Sequence, residues 1–193
     1  TGLSVKRDKA RIGETKNLSA TLTRKTDKAG VQGRTVTFSL AGTQIGSANT
    51  DASGVATLSY KIDESVGVGK ITLKADFAGD TQYIVSTGNN TLTVSQSLTK
   101  LVAANANGKV GTKVTLSGTL TRNSDNAPLK GKTVHFQIDG ADIGSATTDD
   151  KGVATLSYTI PSTATTGKHT IKEVFDGDTL YTSTNNTATL TVK

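Results

Sequence analysis

Apolar and polar residues alternate with a period of two along most of the chain, which is the pattern of strands with one face in a core and one in water. In the first half the alternation predicts seven strands, at 3–8, 16–24, 34–40, 44–50, 55–62, 70–77 and 90–94. Their phase predicts the inward side chains. These are Leu18, Ala20 and Leu22 from the second run, Val36, Phe38 and Leu40 from the third, Leu58, Tyr60 and Ile62 from the fifth, and Ile71, Leu73 and Phe77 from the sixth. Intervening Thr, Ser and Lys fall on the solvent side. Turn residues separate the runs, as in Asp51-Ala-Ser-Gly54, Asp149-Asp-Lys-Gly152 and Asp139-Gly140. No helical stripe is visible, and no apolar run approaches the roughly 20 residues of a membrane-spanning helix. Nothing resembles a signal peptide, so the pattern predicts a soluble piece, and the abrupt start at Thr1 reads as that of an excised fragment.

The chain also repeats itself. At a constant offset of 98 it aligns with itself without a gap, placing Gly13 on Gly111, Gly33 on Gly131, Gly54 on Gly152, Gly69 on Gly167 and Gly79 on Gly177. About 43 of the 95 aligned positions are identical, so the halves descend from one module. The longest shared run is Gly54-Val-Ala-Thr-Leu-Ser-Tyr60 against Gly152-Val-Ala-Thr-Leu-Ser-Tyr158. Seven short strands in about 95 residues make a two-sheet sandwich the economical fold. The expectation is therefore an all-β chain of two tandem seven-strand β-sandwiches, 1–94 and 99–193, joined by a linker at 95–98.

Composition narrows the chemistry. There is no cysteine, which excludes thiolate catalysis, Cys-ligated metals and an inter-sheet disulfide. The net charge of +6 is modest and mixed in sign, which fits solubility rather than a nucleic-acid surface. The chain has no Gly-x-Ser-x-Gly elbow, no phosphate-cradling Gly-Lys-Ser loop and no His-Glu-x-x-His pair. No enzyme activity and no cofactor are expected.

Three motifs carry a resemblance. Val31-Gln-Gly-Arg-Thr-Val-Thr-Phe38, Thr50-Asp-Ala-Ser-Gly-Val-Ala-Thr-Leu58 and Phe77-Ala-Gly-Asp-Thr-Gln-Tyr83, the last followed by Thr91-Leu-Thr-Val94, recur in the second copy at 129–136, 148–156, 175–181 and 189–192. With them the sequence resembles the bacterial immunoglobulin-like repeat domains of large secreted and surface-anchored proteins, over nearly its whole length. The resemblance implies an immunoglobulin-like fold and an extracellular or cell-surface location. It also implies a stalk or spacer role, sometimes an adhesive one. The expected partners are neighbouring domains or further repeats of the same polypeptide, and in the adhesive case a glycan, protein or anionic polymer of a cell wall or host surface. Membrane insertion and nucleic-acid binding are not expected, and the chain is expected to be a monomer. No catalytic residues carry over, because the shared motifs are framework.

Each candidate site competes with a structural role. All eight aromatic rings pair between copies: Phe38 with Phe136, Tyr60 with Tyr158, Phe77 with Phe175 and Tyr83 with Tyr181. Rings kept at strand positions in both copies are expected to be core rather than a ligand platform. Tyr83 and Tyr181 lie beyond the sixth strand, where they are expected to close the sandwich end. The basic run Lys6, Arg7, Lys9 and Arg11, with Lys16, is private to the first copy. It reads as an edge strand blunted by charge, and in the alternative as a patch for an anionic partner. The loop aspartates Asp27, Asp51 and Asp80, and Asp125, Asp139, Asp142, Asp149, Asp150 and Asp178, form no alternating calcium-loop run; Asp51 and Asp149 read as caps of their own turns. His135 and His169 occur only in the second copy, the first on an outward and the second on an inward register, and the spacing suggests no third ligand or orienting carboxylate.

The joint completes the expectation. Four residues, Ser95-Gln-Ser-Leu98, reach at most about 14 Å, and they hold no flexible Gly-Ser run. Leu98, the one apolar residue among them, is expected to pack at a contact between the domains of an elongated pair.

Overall fold

The alternation becomes structure strand by strand in the computed structural model, which describes all 193 residues and separates into two units, Thr1–Gln96 and Ser97–Lys193. In the first unit the strands are β1 (Gly2–Val5), β2 (Asp8–Arg11), β3 (Thr15–Thr23), β4 (Thr35–Leu40), β5 (Thr43–Asn49), β6 (Val55–Lys61), β7 (Gly69–Phe77) and β8 (Ser86–Ser95). One sheet has the order β1-β3-β6 and the other β2-β8-β7-β4-β5. The second unit repeats this with β9 (Thr99–Ala103), β10 (Ala106–Gly108), β11 (Lys113–Arg122), β12 (Thr133–Ile138), β13 (Ala141–Thr147), β14 (Val153–Thr159), β15 (Gly167–Phe175) and β16 (Thr184–Val192). Its sheets run β9-β11-β14 and β10-β16-β15-β12-β13.

The predicted inward phase holds in the central strands. Leu18, Ala20, Leu22, Val36, Phe38, Leu40, Leu73 and Phe77 are all buried, as are Leu116, Leu120, Val134, Phe136, Ile138, Ile171 and Phe175 in the second unit. Leu58, Tyr60 and Ile71 are only half-buried. For the first two the reason is position, because β6 is the outer strand of its three-stranded sheet. Ile12, which falls between the predicted strands 3–8 and 16–24, is wholly buried.

The first predicted strand is in fact two. Gly2–Val5 pairs antiparallel with β3, whereas Asp8–Arg11 pairs parallel with β8 in the opposite sheet. Val5 and Ala10 are both buried, yet they are five residues apart. In one continuous strand an odd spacing puts side chains on opposite faces. By changing sheets at Lys6-Arg7 the chain turns both toward the core. The second unit does the same between β9 and β10.

Turn chemistry follows the glycines. Gly54 has φ 78°, and a Cβ there would lie 2.3 Å from the Leu22 carbonyl oxygen; Gly152, at φ 75°, would meet Leu120 O at 2.4 Å. Neither position admits a side chain. At the joint, Ser97 is buried within the second unit: its N–H donates to Leu180 O (2.8 Å) and its carbonyl accepts from Thr182 N–H (3.0 Å). Leu98 is 44% exposed.

Candidate functional site

The basic run lies where the first strand breaks. Lys6 and Arg7 are exposed at the sheet crossing, and Lys9 and Arg11 project outward from β2, the edge of the five-stranded sheet, on either side of buried Ala10. Two of the five cations are engaged locally. Arg11 Nη1 donates to Gln96 O at 2.8 Å, and Lys16 Nζ lies 3.5 Å from Asp8 and 3.6 Å from Glu14. Lys6, Arg7 and Lys9 are exposed outside these contacts, and Arg11 is exposed as well.

The loop aspartates hold their own loops. Asp51 Oδ1 accepts the N–H groups of Ser53 (2.8 Å) and Val55 (2.9 Å), and Asp149 repeats both bonds with Lys151 and Val153. Asp80 Oδ1 accepts from Gln82 and Tyr83, and Asp178 Oδ1 from Leu180 and Tyr181. Backbone N–H groups, first that of Gln82, keep the Asp80 carboxyl below its ordinary range; at Asp178 burial opposes ionisation, but Lys132 and the N–H groups outweigh it. No three His, Asp or Glu side chains converge as a metal site.

The same aspartates anchor a tyrosine cap at one end of each sandwich. Arg34 pairs with Asp80 and sits 5.2 Å over the Tyr83 ring, while Lys132 bonds Asp178 (2.6 Å) and sits 4.8 Å over Tyr181. Tyr181 is fully buried and Tyr83 half-buried; Tyr158, like Tyr60, is half-buried. A recess of about 310 Å³ next to the second cap has Lys132, His135, Asp176 and Asp178 in its lining, so it includes the ion pair of the cap itself.

The histidines stay apart. His135 is outward on β12 with Asp176 3.5 Å away. His169 does find an orienting carboxylate, which the spacing did not suggest: its Nδ1 lies 2.6 Å from Asp139 Oδ2, and its Nε2 lies 2.8 Å from Thr165 O. The β12–β13 hairpin brings the carboxylate there across 30 residues. Asp139, then the Thr165 carbonyl, raises the imidazole pKa above its ordinary value.

Sequence reasoning missed Glu173. It is wholly buried on β15, and neither carboxyl oxygen has a hydrogen-bond partner. A Cβ added at Gly118 on β11 would lie 1.7 Å from Glu173 Oε2, so the glycine makes the room that the carboxyl fills. Burial pushes the Glu173 pKa from 4.5 up to about 7. The signal was present in the self-alignment, where Gly118 stands on Ala20 and Glu173 on Ala75.

Two sandwiches with matched turn caps and matched tyrosine ends agree with the comparison to known families. The sequence profile of the bacterial Ig-like domain (group 3) matches residues 3–95 and again residues 101–193. The chain belongs to the bacterial Ig-like domain family, group 3. Among solved structures, this Ig-like tandem is similar to the fibronectin(III)-like modules of CbhA from Clostridium thermocellum, at 21% identity, with 99% of this chain and 94% of that one covered and a TM-score of 0.37. It is similar at 19% identity to a tetra-tandem repeat from the extending region of a large adhesion protein, covering 100% of this chain and 49% of that one, with a TM-score of 0.49. It thus spans about half the length of that repeat array. FdeC, an Escherichia coli adhesin, is similar at 21% identity over 99% of this chain and 63% of its own, with a TM-score of 0.42. No curated protein matches the chain.

Proposed function

We propose that the chain is a non-catalytic spacer or stalk module of a bacterial extracellular or cell-surface protein, projecting or linking other domains of the same polypeptide. The observation that carries the reading is the residue-by-residue repetition of the framework. Turn caps, tyrosine ends and core rings recur in both units at the same offset, and the family is one of Ig-like repeats. A module whose shared turn caps and core rings maintain the sandwich is built to be repeated. The exposed cations Lys6, Arg7 and Lys9, private to the first unit, support a second reading as an adhesive module for a glycan, a protein or an anionic wall polymer.

Glycan arrays and salt-dependent pulldown on wall polymers separate the two. The spacer reading predicts no retention of the full chain. Reproducible low-micromolar binding, weakened by salt and lost when Lys6, Arg7 and Lys9 are replaced by Ala, overturns it in favour of adhesion.

A further inference from the structure

Among the many positions at which the two units differ, two pairs change together. Where the first unit buries Ala20 and Ala75, the second holds Gly118 and Glu173; where the first has Ala41 and Ile71, the second has Asp139 and His169. Both exchanges place an ionisable group on β15, and both groups favour their protonated form in the folded unit.

Glu173 sits with the inward residues of its neighbours. β11 supplies Leu116, Gly118 and Leu120, β12 places Phe136 in register with it, and β9 supplies Leu101. On β16 the residue in register is uncharged Asn186, whose amide donates to Leu101 O. No charged group shifts the Glu173 carboxyl, and desolvation is its sole influence. An ionised carboxylate there has lost water and gained no donor, so ionisation costs folding free energy.

His169 works the other way round with the same result. Two hydrogen bonds, one to the Asp139 carboxylate and one to the Thr165 carbonyl, require both ring nitrogens to donate, which only the imidazolium does. Asp139 also accepts the Thr170 N–H at 2.8 Å. The rest of the surroundings are uncharged: Leu190 is in register on β16, and Ile138, Tyr158, Ile160 and Pro161 line the adjoining recess. Losing the proton removes one of the two bonds and the ion pair.

We propose that the second unit is a pH-responsive module that loosens as the medium passes from acid to alkaline, while the first, on the same framework, stays indifferent over that range. The sign is the same for both groups. The Glu173 contribution is fully present below its unfolded value of 4.5 and is lost as pH rises through about 7. The His169 contribution is present below the ordinary 6.5 and is lost as pH rises through its raised value. The aspartates held below their usual range, Asp27, Asp76 and Asp80 in the first unit and Asp139, Asp149 and Asp178 in the second, lose stability only under stronger acid.

The test is denaturant unfolding of the full chain followed residue by residue by NMR at about pH 5 and about pH 8.5. The unfolding constant of the second unit is expected to rise on the order of tenfold to a hundredfold between these conditions, while that of the first changes by less than about threefold. Carbon-13 titration of the unmodified chain should give Glu173 a midpoint near neutrality, well above the ordinary 4.5. In the double variant Gly118→Ala/Glu173→Ala, which installs the first unit's pair, most of the pH response should vanish. Adding His169→Ile should remove the remainder. An equal response in both units, an ordinary Glu173 midpoint, or a full response surviving in the double variant each overturns the proposal.

Discussion

The two units are the same sandwich with different interiors. At the level of the framework they are interchangeable: Phe38 and Phe136 are both wholly buried, and Thr50 and Thr148 both accept a backbone N–H at 2.9 Å from the residue after a turn glycine. In the layer between the sheets they part. The first unit fills one place with two methyl groups, from Ala20 and Ala75, and the second with a carboxyl slotted over a glycine. A duplicated module can therefore keep its strands and its turns and still exchange an inert core for a titrating one, provided both members of the pair change.

The comparison is most severely tested at the shared rings. Phe38→Ala and Phe136→Ala should each cost about 3–5 kcal/mol in their own unit, because a wholly buried ring leaves a cavity that the sheets cannot close. Unit-resolved denaturant midpoints check this. Losses that differ widely between the units would break the claim that the framework is common.

The next effect separates the units. At about pH 8.5 the double variant Gly118→Ala/Glu173→Ala should stabilise the second unit by up to about 3 kcal/mol, the worth of the gap between about 7 and 4.5. Glu173→Ala alone should gain less, since it leaves a void beside the glycine, and Gly118→Ala alone should destabilise by collision with the carboxyl. A thermodynamic cycle over the four chains should show strong non-additivity. Additive effects would mean that the two positions are not one exchange.

Smaller still, Thr50→Val and Thr148→Val should each cost about 1–2 kcal/mol, because the N–H of Arg34 or Lys132 loses its acceptor in a part-buried place. The loss at Thr148 should be the larger of the two, because its hydroxyl also donates to Leu129 O at 2.6 Å. Smallest of all, Lys9→Ala should stay within about 0.5 kcal/mol, since the side chain projects into water from an edge strand. A larger loss would show that the basic run stabilises the fold rather than decorating it.

Much of this was legible in the chain. The constant offset of 98 announces two copies, and the period-two runs locate the central strands and their inward faces, because alternation is a local consequence of the pleat. Asp51 and Asp149 could be read as turn caps because such a carboxylate bonds its own backbone two to four residues on. The edge character of the basic run followed from its charge.

What escaped reading is non-local. Whether 3–8 is one strand or two depends on which sheet offers hydrogen bonds to each half, and β8, the parallel partner of Asp8–Arg11, lies more than 80 residues on. The Asp139 carboxylate reaches His169 only because the hairpin turn and the start of β15 meet at one end of the sandwich. Gly118 and Glu173 stand on different sheets, and although the alternation already turns Glu173 inward between Ile171 and Phe175, it does not say that a glycine faces it. Local periodicity determines which side of a strand a residue faces. The partner it meets across the core is decided only when the two sheets close on each other, so the scaffold and the inward turn of Glu173 can be read along the chain, while its lack of any hydrogen-bond donor and its fit over Gly118 come from the closed sandwich.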